Sequence, residues 1–87
     1  MGTRRDMPPR YARFFRALSG RIRSYRTERE LSQENMIFYG FSARHWQMIE
    51  AGRPMNVFTL LRICEAFDLS AEELFAGLSH HLRKRRK

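Results

Sequence analysis

The stretch Leu31-Ser32-Gln33-Glu34-Asn35-Met36-Ile37-Phe38-Tyr39-Gly40-Phe41-Ser42-Ala43-Arg44-His45-Trp46-Gln47-Met48-Ile49-Glu50-Ala51-Gly52-Arg53 decides how this chain folds. Ser32 can cap a helix through its hydroxyl, and Gly40 can end that helix in the left-handed region. Ser42 then caps another helix, which Gly52, Arg53 and Pro54 stop. The spacing predicts helices over Gln33–Tyr39 and Ala43–Glu50, with a polar, basic face on the second. Two short helices joined by a tight turn form a helix-turn-helix, whose second helix can lie in the major groove of DNA. The expectation is sequence-specific binding to duplex DNA.

Working outward, Pro8-Pro9 can open a helix, because the first turn needs no proline N–H. From Arg10 onward, Phe14, Leu18, Ile22 and Tyr25 recur at helical spacing and form one apolar stripe. Ser19-Gly20 falls inside it, where a bend or split is expected, since mid-helix glycine costs roughly 1 kcal/mol. Downstream, Asn56 caps a fourth helix, with Val57, Leu60, Leu61, Cys64 and Phe67 on one face. Ser70 opens a fifth, and Glu73 completes a capping box. Leu74, Phe75 and Leu78 give it an apolar side. No segment shows sustained strand-like alternation. The chain reads as all-α, five short helices around one core. Residues 1–9 read as a flexible basic N-terminus, 10–79 as the domain and 80–87 as a basic tail.

The 87 residues suffice for one domain with a modest core, and a hydrophobic content of 43% favours folding. The net charge of +8 favours a polyanionic partner, because each cation near a phosphate releases condensed counterions. Charge alone does not separate a DNA-binding protein from an RNA-binding one. Cys64 is the only cysteine, so no intramolecular disulfide forms, and the reducing cytoplasm is the expected compartment. No apolar run approaches a membrane span or a signal peptide.

Arg21-Ile22-Arg23, Arg26, Arg29, Leu31-Ser32-Gln33-Glu34, Gly40, Ser42, Ile49-Glu50, Gly52-Arg53, Thr59-Leu60-Leu61, Ile63, Glu65-Ala66, Leu69-Ser70 and Glu73-Leu74-Phe75 together carry a resemblance. In order and spacing they are similar to the Cro/phage-repressor family of helix-turn-helix domains, also called the xenobiotic-response-element type. The likeness runs from about Leu18 to Phe75. It implies a five-helix, lambda-repressor-like DNA-binding domain. It also implies that Gln33 meets a DNA phosphate at the start of the second helix. Ser42, Ala43, Arg44, His45, Gln47 and Met48 are implied to face the groove, and Arg53 to touch a phosphate beyond it. Trp46 and Ile49 would point inward, and Glu50 would pair with Arg26. The chain departs from the family in three ways. The second helix is one residue shorter between Gln33 and Gly40. Ile37 stands where a small alanine is usual, and Trp46 where a β-branched aliphatic is common.

Arg44 is the prime candidate for base readout, since a guanidinium can bond guanine O6 and N7 together. Gln47 can pair with adenine in the same way, and Ala43 can touch a thymine methyl. His45 suits a phosphate or sugar. Arg83 to Lys87 can add nonspecific phosphate affinity. No nucleophile–base pair, paired carboxylates or metal-ligand spacing emerges, and neither an enzyme nor a cofactor is expected. The expected function is a transcriptional regulator, a repressor acting as a homodimer on a near-palindromic operator. Two rivals use the same fold. One is the antitoxin of a toxin–antitoxin pair, with Tyr11, Phe14 and Phe15 as the toxin-binding segment; the other is an adaptor that binds only protein. Two apolar surfaces are candidates for the dimer contact. The favoured one centres on Phe75 and Leu78 of the fifth helix; in the alternative, the N-terminal aromatics fold back onto that helix.

Overall fold

In the computed structural model, residues 7–83 are described. The expected contacts of residues 1–6 and 84–87 lie outside them. The described residues form four α-helices and two short 3-10 helices, with no strand. The all-α expectation therefore holds, although the second element is not an α-helix.

Helix α1 spans Pro9–Glu28, with a proline in its first turn. It runs unbroken through Ser19 and Gly20, against the expected bend. Leu18, Ser19 and Ile22 are buried along it, and this packing outweighs glycine's weak helix propensity. Glu30, at φ +58°, turns the chain out, and the Leu31 amide reaches back to the Arg26 carbonyl.

Ser32 and Asn35 then bond reciprocally, each side chain accepting from the other's backbone amide. They start a 3-10 helix, Glu34–Tyr39, which ends at Gly40 with φ +89°. At about 2.0 Å per residue its six residues span roughly 12 Å. Met36 takes the inward position, fully buried, and Ile37 points out.

Helix α2 (Ala43–Glu50) is capped by Ser42, whose Oγ accepts from the His45 amide at 3.0 Å. Helix α3 (Val57–Phe67) is capped by Asn56 in the same way, and α4 (Ala71–Phe75) carries the full Ser70–Glu73 capping box. Gly77, at φ +76°, breaks α4 and leads into a second 3-10 helix, Leu78–Leu82. The basic tail expected from residue 80 thus begins with ordered structure. His80 and His81 form part of this turn, which packs on α1.

Trp46 is fully buried, with Phe41 and Phe67 edge-on to it at 5.0 and 6.1 Å between centroids. Each such pair adds about 0.5–1.5 kcal/mol beyond area burial. Around them close Leu18, Ile22, Ile49, Ile63 and Leu74. Cys64 is a buried core residue, and burial, aided by Glu73, pushes its thiol pKa up.

Two expectations about apolar faces need correction. On α3 the buried residues are Thr59, Ile63, Cys64 and Phe67, with Leu60 half-buried. Val57, Phe58 and Leu61 stay 68%, 68% and 56% exposed. On the C-terminal segment, Leu78 is core, and Phe75 meets Phe14 edge-on at 5.6 Å. The N-terminal segment therefore reaches back onto α4 through Phe14, and of the favoured contact pair Leu78 is buried while Phe75 keeps 37% of its surface exposed.

Candidate nucleic-acid interface

The Glu50 carboxylate fixes the site. Its side chain is 1% exposed. It accepts from Arg26 Nε and Nη2 at 2.5 and 3.0 Å, and from Gln33 Nε2 at 2.9 Å. Trp46 Nε1 donates to it from one turn earlier, and Arg23 Nε lies at 3.3 Å. Burial alone would raise the carboxyl pKa. The hydrogen bonds from Arg26, Gln33 and Trp46 outweigh it and hold the group below its ordinary value. Arg26 is raised in turn, first by its hydrogen bond to Glu50 and against its own burial. One carboxylate thus ties together α1, the first 3-10 helix and α2.

The Arg26–Glu50 pair and the inward Trp46 and Ile49 agree with the sequence reading. The Gln33 amide, expected at a phosphate, is half-buried and donates to Glu50.

The outer face of α2 is open. Ser42, Ala43, Arg44, Gln47 and Met48 are exposed, as is Arg53 in the following loop. Arg44, Gln47, Met48 and Arg53 line one shallow depression together with Ala51. The structure thus gathers most of the expected set on one surface. His45 is half-buried, with its ring 5.7 Å from that of Phe41, and lines an adjoining depression with Met48 and Arg53.

The sequence reading overlooked the flank of this surface. Ser19 Oγ donates to the Ile49 carbonyl, fixing α1 against the end of α2. Arg16, Gly20 and Arg23 line a neighbouring depression with Ala51 and Gly52. The signal was present in the spacing, since positions i, i+4 and i+7 share a helix face.

Several arginines counted in the basic charge are tied to the fold. Arg21 donates to the Leu74 and Ala76 carbonyls at the end of α4. Arg29 donates to the Phe67 carbonyl at 3.0 Å and lies over the Tyr25 and Phe67 rings. Arg62 donates to the Gly40 carbonyl and covers the Phe41 ring. Those facing outward beside α2 are Arg16, Arg23, Arg44 and Arg53. Comparison with protein-family models, curated proteins and solved structures finds no match to this chain.

Proposed function

We propose that the chain is a sequence-specific duplex-DNA-binding regulator, a repressor that works as a homodimer by occupying a near-palindromic operator. The observation that carries this reading is the mounting of α2. Trp46, Ile49 and Glu50 lock one side of the helix, while Arg44, Gln47 and Met48 stand exposed on the other. A rigid helix with a polar outer face is what direct readout in a major groove requires. Arg44 and Gln47 read base edges, and Met48 and Ala43 supply apolar contact. Ser42, Arg53 and His45 lie toward the backbone. Gln33 acts indirectly, by orienting Glu50 and hence α2.

A single module buries only about 600–1,000 Å² on DNA, so strong specificity calls for two copies. In this reading the second copy sits on the exposed face of α3. Val57, Phe58 and Leu61 are largely exposed there, and Ile37, Phe38 and Tyr39 at the end of the first 3-10 helix are 62%, 80% and 42% exposed. Arg62 of α3 lies between the two groups, sharing a depression with Phe38 and Tyr39 and holding its guanidinium 5.7 Å from the Phe58 ring centroid. The aromatic segment considered for a toxin is instead packed on α4 through Phe14.

Fluorescence anisotropy with a labelled duplex of random sequence, titrated over a salt series, tests the reading. Log affinity should fall linearly and steeply with log salt. An absence of duplex binding at low salt, or salt-independent binding, refutes it.

A further inference from the structure

We propose that the groove between Arg16 and Arg23 of α1 is a second backbone-binding site for duplex DNA. It grips phosphates of the strand bordering the groove that α2 enters. The inference rests on the DNA-binding reading and extends it to residues outside the helix-turn-helix. The first argument is continuity. Ala51 belongs to both depressions, so the surface runs without a break from Arg44 and Arg53 to Arg16 and Arg23.

The second argument is shape. Gly20 lies four residues after Arg16 and three before Arg23, so all three share one face of α1. A Cβ added at Gly20 would meet nothing within 4 Å, which leaves the floor between the two arginines open. Gly52 packs against the Arg16 stem, where an added Cβ would lie 3.5 Å from Cγ. That contact supports the stem, and Arg16 remains exposed. The Arg23 side chain is 58% exposed although its Nε lies against Glu50. Seven residues of helix separate the two, about 10.5 Å along the axis.

The third argument is charge. The one acid lining the groove is Glu50, which is buried and shared among Arg23, Arg26, Gln33 and Trp46, so that with Arg16 the cations outnumber it. The groove therefore presents net positive charge. The Ser19–Ile49 bond fixes it relative to α2, so binding need not order it.

The test uses anisotropy titrations over a salt series, on a random duplex and on the best duplex recovered by selection. Arg16→Gln with Arg23→Gln should reduce the salt slope by about 1.8, at about 0.9 per phosphate, and leave the preferred sequence unchanged. Gly20→Glu places a carboxylate on the groove floor and should weaken both duplexes by about tenfold or more. Arg13→Gln, a charge-matched change near His81 and away from the groove, should stay within about twofold. Circular dichroism should show all variants folded, since Gly20 is exposed and glutamate is the better helix former. A wild-type slope in the double variant overturns the proposal, as does Gly20→Glu binding no worse than Arg13→Gln. If the wild type prefers a sequence while either result holds, only the groove inference falls. If the wild type binds no duplex at low salt, both readings fall.

Discussion

Replacing Glu50 with alanine removes the acceptor that joins α1, the first 3-10 helix and α2. Arg26 then keeps its guanidinium in a side chain only 11% exposed, without a counter-charge. Gln33 and Trp46 lose their acceptor in the same step. Removing one partner of a buried ion pair costs about 3–5 kcal/mol, because the remaining charge stays desolvated. A chain of 87 residues has a total stability of roughly 4–13 kcal/mol. The variant is therefore brought close to unfolding. At about 4 kcal/mol, Tm should fall by roughly 16–32 °C. Urea unfolding followed by circular dichroism and by Trp46 fluorescence should show the midpoint moving with the slope unchanged. Glu50→Gln keeps the shape but not the charge and should lose less. Arg26→Met combined with Glu50→Leu should recover most of the loss, since apolar groups of similar volume need no partner. A loss below about 1 kcal/mol for Glu50→Ala would match an exposed ion pair and refute the reasoning.

Arg44→Ala should relax preference at one or two positions of each half-site and cost about 1–3 kcal/mol on the best duplex, read by competition titration. An equal loss on every sequence would reduce Arg44 to a phosphate contact. Because folding holds the Glu50 pKa below 4.5, the unfolded chain takes up the proton first as pH falls. The stabilisation from Glu50 is therefore complete above that value and is lost as pH drops through the folded pKa. Thermal melts between about pH 6 and about pH 3 should fall more steeply for the wild type than for Glu50→Gln; parallel curves would contradict this. Phe58→Glu with Leu61→Glu should give a folded monomer in sedimentation with much weaker operator binding, since both side chains are largely exposed. A dimer that survives these changes places the interface elsewhere. Gly40→Ala should destabilise by more than about 1 kcal/mol in chemical denaturation, because φ is +89° and the new Cβ would lie 3.1 Å from Arg62 Nη2. A neutral result would mean that the turn can relax.

The parts of the fold that were legible in the sequence are those set locally. Ser42, Asn56 and Ser70 each bond an amide three residues ahead, so their own spacing marks three helix starts. The inward Trp46 and Ile49 were expected from the resemblance, and both are buried. What was not legible depends on partners distant in the chain. Val57 to Cys64 is so densely apolar that periodicity alone does not choose its buried face. Packing against the rest of the core chose the face with Thr59, Ile63 and Cys64. The bond from Gln33 to Glu50 was not legible because the sequence does not show that a buried carboxylate 17 residues later lies within reach. Leu78 read as free surface because α1, on which its 3-10 helix packs, lies far upstream in the sequence.

The central claim is that α2 reads duplex sequence from two copies of the chain. Selection of bound molecules from a pool of random duplex DNA, with the whole protein, tests it most directly. The account predicts an enriched, near-palindromic motif whose half-sites lie about one helical turn apart, roughly 34–36 Å centre to centre. A pool that shows no enrichment above bulk after repeated rounds would contradict it.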